Sequence, residues 1–267
     1  MSTQLERILA HTRIEVAERR ATADVSVLER QAAAHPPRGF EAALRKAAAS
    51  GPAVIAELKK ASPSRGLIRP DFEPVALARS LEAAGAAALS VLTDQEFFQG
   101  SLENLTRASV AVRIPCLRKD FMVDPFQILE ARAAGADAIL LIVAALADDE
   151  LKSLAAEAHR MELDLLCEIH DRAELDRAVA LGFTVIGVNS RNLHTMQVDP
   201  QTQIDLAQSL PPTALRVAES GIRDASDIAR MTEAGFDAFL IGESLMRQPD
   251  PGAALATLLA RKVSPER

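Results

Sequence analysis

Six charged side chains stand at or just beyond the ends of predicted strands: Glu57, Lys59, Lys119, Glu168, Arg191 and Glu219. A partly dry lysine near other charges can pass on a proton or attack a carbonyl as an amine, and Lys59 and Lys119 are both candidates for either role. A glutamate with apolar walls has its ionisation pushed up towards neutrality. Glu168, after Leu165-Leu166-Cys167, is the carboxyl expected to behave that way. The pattern predicts acid–base or amine chemistry. A metal is not expected, because the five His are scattered and none has a partner at ligand spacing. His170 is read as a cap on a loop or helix. The sequence contains no nucleophilic serine elbow and no dinucleotide fingerprint.

A second constellation suits an anion. Ser220-Gly221 and Gly242-Glu243-Ser244 each precede a predicted helical turn. Glycine lets the backbone approach a ligand, and the unpaired N–H groups of a helix start favour phosphate. A carboxylate beside a phosphate dianion is unfavourable, so Glu243 is expected to offer its N–H and turn its side chain away. Arg191 supplies a charged donor.

These residues need a scaffold that brings strand ends together. The stretch 53–59 alternates, with Ile55, Glu57 and Lys59 on one face and Val54, Ala56 and Leu58 on the other. A long loop, 60–72, follows. Predicted strands then fall at 88–92, 115–119, 138–143, 163–168, 184–188, 214–219 and 238–241. Helices are predicted at 73–84, 102–110, 125–134, 148–160, 172–181, 200–209, 225–234 and 252–261. Ala134-Gly135-Ala136-Asp137 and Ala234-Gly235-Phe236-Asp237 mark helix ends, with the next strand starting a few residues later. Eight strands, each followed by a helix, with short αβ turns, predict an α/β fold, a closed (β/α)8 TIM barrel with active-site residues at its C-terminal mouth. Residues 1–50 read as an N-terminal helical extension, with Leu5, Ile8, Leu9, Thr12 and Val16 at helical spacing. No linker divides the chain, so 1–267 is expected to be one domain.

The totals narrow the partners. A net charge of −7 and a pI near 5.4 argue against nucleic acid. The chain begins without a secretory signal pattern, and no apolar run spans a bilayer, so a cytoplasmic protein without membrane contact is expected. Cys116 and Cys167 both fall in predicted strands and are expected to be buried, reduced thiols. With no Trp and no Tyr, any wall for a flat ring must come from Phe or aliphatic side chains.

Several motifs carry a resemblance that spans the chain. They include Glu57-Leu58-Lys59-Lys60-Ala61-Ser62-Pro63-Ser64, Leu117-Arg118-Lys119-Asp120-Phe121 and Cys167-Glu168-Ile169-His170. With them go Gly187-Val188-Asn189-Ser190-Arg191-Asn192-Leu193, Ala218-Glu219-Ser220-Gly221-Ile222 and Ile241-Gly242-Glu243-Ser244-Leu245-Met246. Together they resemble the indole-3-glycerol-phosphate synthase family of tryptophan biosynthesis.

The resemblance implies ring closure, decarboxylation and dehydration of 1-(2-carboxyphenylamino)-1-deoxyribulose 5-phosphate, without a cofactor. It implies Lys119 as general acid and Glu168 as general base. Lys59 would pair with the substrate carboxylate, and Glu57, Asn189 and Glu219 would hold the charged network. Ser62, Arg191, Ser220, Gly221, Gly242 and Glu243 would bind substrate. Pro63, Phe98, Phe121, Leu140, Leu193 and Ile241 would wall the aryl ring. Its partner is a small phosphorylated substrate, and a monomer is expected. The alternative reading is another phosphate-binding barrel such as phosphoribosylanthranilate isomerase, although the first strand ends in Glu57 and Lys59 where that family's pattern wants a cysteine.

Overall fold

The structure, a computed structural model, describes residues 3–192 and 197–260. Eight parallel strands close into a barrel: β1 (Ala53–Leu58), β2 (Ala88–Leu92), β3 (Cys116–Lys119), β4 (Ala138–Ile142), β5 (Asp164–Ile169), β6 (Val185–Asn189), β7 (Leu215–Glu219) and β8 (Ala238–Ile241). Neighbours in sequence are neighbours in space, and β1 pairs with both β2 and β8, for example Ala53 with Ala238. All eight expected strands form, with no end shifted by more than one residue. Gly135 and Gly235 adopt φ of 84° and 103° after their helices, a conformation that costs other residues steric strain. One feature the sequence did not signal is a small hairpin in the loop after β1, pairing Ala61–Ser62 with Gly66–Leu67.

The period of two along each strand sorts side chains into two apolar layers. Ile55, Leu117, Leu140, Leu166, Val217 and Leu240 fill the barrel interior. Val54, Ala56, Leu58, Ile139 and Ile186 face outward and pack under the helices. Burying one such side chain fully contributes about 1.5–3 kcal/mol. Glu57 and Lys59 continue the interior row of β1, which delivers them to the C-terminal mouth.

The N-terminal extension forms α1 (Gln4–Thr22), α2 (Val25–Ala34) and α3 (Phe40–Ala48). Thr3 and Glu6 make a reciprocal capping box that fixes where α1 begins. Phe40 and Leu44 of α3 join the interior layer. Beside them Arg38 donates to both Asp137 oxygens, at 2.6 Å from Nη2, and to the carbonyls of Ser109 and Val112. Higher on the barrel, Arg19 of α1 donates to Glu130 at 2.8 Å. The remaining helices are α4 (Pro74–Ala83), α5 (Leu102–Ala111), α6 (Phe126–Ala133), α7 (Asp148–Arg160), α8 (Arg172–Ala180), α9 (Pro200–Ala207), α10 (Ala225–Glu233), the one-turn α11 (Glu243–Met246) and α12 (Pro251–Leu259). They surround the strands as the alternation predicts.

Candidate active site

A cavity of about 640 Å³ opens at the C-terminal ends of the strands. Its floor is charged. Lys59 Nζ lies 2.6 Å from Glu57 Oε2. Lys119 Nζ lies 2.8 Å from Glu168 Oε2 and 3.5 Å from Glu219 Oε2. All three glutamates are almost fully buried. Two glycines make room for them. A Cβ on Gly187 would collide with the Glu219 carboxylate, and one on Gly242 with that of Glu57. Both positions are glycine for space.

Burial drags the Lys119 ammonium down, but Glu168, Glu219 and Glu57 outweigh it and hold the lysine protonated above its ordinary range. The carboxyls split. Burial pushes Glu219 up, and with Glu168 and Glu57 close by it reaches about 8 despite Lys119. Burial also raises Glu168, yet Lys119 and His170 together hold it below the usual carboxylate range. This corrects the expectation that Glu168 has a raised pKa. Two cations sit against it, and one of them is 49 positions away in sequence. Between these two, Glu219 is the carboxyl that keeps its proton and Glu168 the one that stays ionised.

One wall is apolar. The Phe98 and Phe121 rings stand 6.3 Å apart at a 39° tilt. Asp94 accepts the N–H groups of Phe97 and Phe98 at 2.7 and 3.1 Å, which fixes the loop that presents Phe98. Leu140 and Leu240 rise from the barrel interior, and Pro63 borders the same space. Ile241 also borders it, while its side chain packs in the outer layer. Ser62 contributes a buried hydroxyl with no hydrogen-bond partner among the described residues.

The opposite rim is basic and glycine-rich. Ser220 and Gly221 have φ of 68° and 78°. For serine that is a strained conformation of the kind kept at functional sites. Gly242 N-caps α11. The Glu243 carboxylate turns to Arg65 and Arg247, at 3.2 and 3.1 Å, with Arg191 at 3.9 Å. Asn189 Oδ1 accepts the Arg191 N–H at 3.0 Å and so shapes the turn after β6.

Every sequence-predicted site residue lines this one cavity except Leu193, which lies outside the described residues. His170 is not the cap expected of it: Asp171 caps the next helix, and the His170 ring lies between the Glu168 and Glu174 carboxylates. Sequence reasoning missed Leu5 and Ile8 of α1, Ile142, Arg65, Arg223 and Arg247, all of which line the bowl. For Leu5 and Ile8 the helical spacing was visible, but it served core packing equally well. Among the described residues no cluster of His, Cys, Asp and Glu is arranged to hold a metal ion. The two cysteines are free and buried.

A closed (β/α)8 barrel whose C-terminal mouth holds ammonium groups among buried carboxyls has the architecture of a barrel enzyme and the groups that proton transfer needs. Comparison with known proteins narrows the class. A family model described as indole-3-glycerol phosphate synthase matches residues 5–258. A protein of that name from Koribacter versatilis (strain Ellin345) is 61% identical over 259 residues, covering 97% of this chain and 100% of its own length. One from Burkholderia vietnamiensis (strain G4 / LMG 22486) is 49% identical, covering 97% and 99%. The chain belongs to the indole-3-glycerol phosphate synthase family. Solved structures with the same fold include a 3-hexulose-6-phosphate synthase, with a TM-score of 0.63 at 14% identity over 78% of this chain and 98% of that one. Thiamine phosphate pyrophosphorylase from Pyrococcus furiosus has a TM-score of 0.58 at 16% identity over 77% and 93%.

Proposed function

We propose that this chain converts 1-(2-carboxyphenylamino)-1-deoxyribulose 5-phosphate into indole-3-glycerol phosphate, CO₂ and water. The observation that carries the assignment of roles is the Lys119 ammonium, 2.8 Å from an ionised Glu168 and 3.5 Å from Glu219 at the bowl's floor. Lys119 gives its proton to the ketose oxygen as the aryl carbon bonds to the ketose carbon. The aryl carboxylate, paired with Lys59, leaves as CO₂, and its bonding electrons restore the aromatic ring. The new hydroxyl then departs as water with a proton from Lys59, while Glu168 takes the carbon-bound proton lost as the double bond forms. Glu57 holds Lys59, and Glu219 and Asn189 shape the floor and the turn to Arg191.

Phe98, Phe121 and Leu140 wall the ring, and Leu5 and Ile8 close the α1 side. Ser220, Gly221, Gly242 and the Glu243 N–H take the phosphate with Arg191, and Ser62 offers its hydroxyl to substrate. The buried, unpaired thiols suit a cytoplasmic enzyme. The test is absorbance of the indole product from purified protein and the carboxyphenylamino sugar phosphate. Turnover without added cofactor is expected. A covalent adduct trapped by borohydride on Lys119 would instead make the lysine an amine nucleophile and overturn the general-acid role.

A further inference from the structure

His170 follows β5 directly and does not border the cavity. Its side chain is 13% exposed. Asp171 caps α8 by accepting the Glu174 N–H at 2.9 Å, which turns the Glu174 side chain back over the strand end. The Glu174 carboxylate then accepts the His170 backbone N–H at 2.8 Å and faces its ring Nδ1 at 3.1 Å. The other ring nitrogen, Nε2, lies 3.3 Å from Glu168 Oε1. That contact is close but not angled as a hydrogen bond.

Carboxylates only accept hydrogen bonds. Nδ1–H donates to Glu174, and an unprotonated Nε2 would turn its lone pair on the Glu168 carboxylate 3.3 Å away, so the placement favours a proton on each nitrogen, an imidazolium. We infer that His170 is a positioning residue that, held by Glu174, fixes Glu168 through the carboxylate oxygen Lys119 leaves free. Burial would pull the imidazole down, but the two glutamates raise it to about 10, in keeping with that geometry.

The two cations on Glu168 differ in what happens to them. Lys119 loses its charge when it protonates the ketose oxygen. At that moment Glu168 sheds one positive neighbour, so its basicity rises for the later proton abstraction. His170 touches no substrate and keeps its charge, so the carboxylate stays ionised and in place while it becomes a better base. Apo contacts of this kind are often loose and tighten in the substrate complex.

The inference rests on Glu168 as the base, and the variants separate the two. Glu168→Gln tests that reading: turnover close to wild type would remove it and the inference with it. With Glu168→Gln inactive, His170→Ala is expected to lower kcat roughly ten- to a hundred-fold, less than the whole contribution of a general base, with KM within about twofold. The acid limb of its kcat/KM profile should move to higher pH, because Glu168 has lost a cation that favours its ionised form. Glu174→Gln, which leaves the ring in place but weakens its hold on the proton, should move the same limb by less. An acid limb that stays put in both variants, or a kcat loss in His170→Ala that only follows a fall in thermal midpoint, would overturn the inference.

Discussion

The two ends of this barrel bury charge in opposite ways. At the N-terminal end Asp137 is fully enclosed and accepts from Arg38, from the Cys116 N–H at 2.7 Å and from His35 at 3.2 Å. Burial alone would raise its carboxyl, yet His35 and Arg38 hold it below its ordinary value. Arg38 in turn spends its guanidinium on Asp137, Ser109, Val112 and Gly135. At the C-terminal end Glu57, Glu168 and Glu219 share the mouth with Lys59 and Lys119, His170 stands behind Glu168, and Glu219 Oε1 and Ser62 Oγ have no partner among the described residues. A network with every group satisfied rigidifies a fold, and one left unfinished is poised to act on a ligand. On the function proposed above, the first cluster serves stability and the second chemistry.

Mutation can break that division. The largest effect is expected at the mouth: Lys119→Ala should lower kcat by roughly 10²–10⁴ with little change in the urea midpoint. Steady-state kinetics beside chemical denaturation would check both halves. At the other end Asp137→Asn leaves Arg38 without its counter-ion and should cost about 3–5 kcal/mol of stability. The protein that remains folded should keep its kcat and KM within about twofold, so a kinetic defect there would end the division of labour. The smallest effect is expected at the rim, where Arg191→Ala should raise KM roughly tenfold and leave kcat nearly unchanged, by loss of one charged hydrogen bond to phosphate. Inorganic phosphate should compete correspondingly less well with substrate, and equal losses in kcat and kcat/KM would remove Arg191 from the phosphate role.

The same contrast explains what the sequence could tell. Alternation is local, so Ile55, Glu57 and Lys59 announced both their face and their end of the barrel. Helix-ending glycines such as Gly135 are local too, and the strand count followed from them. Arg118 was opaque. It sits between two inward-facing neighbours, is 1% exposed, and is neutralised by Asp120 beside it and by Glu130 on a helix. The strand end pointed to Lys119, but nothing local to Leu117-Arg118-Lys119 showed that a glutamate on a helix takes up Arg118. The ionisation of Glu168 was misread for a related reason. Its apolar neighbours in sequence suggested a raised pKa, but its decisive partners are Lys119 across the barrel and a histidine held in place by the next helix.

Side-chain ¹³C NMR of the glutamate carboxyls, with Glu168→Gln and Glu219→Gln to assign the signals, tests the sorting of protons at the mouth most directly. One carboxyl titrating near pH 8 and absent from Glu219→Gln is expected, together with a second that stays ionised well below the usual carboxylate range and is absent from Glu168→Gln. Glu168 and Glu219 titrating together at the ordinary value of about 4.3 would contradict it.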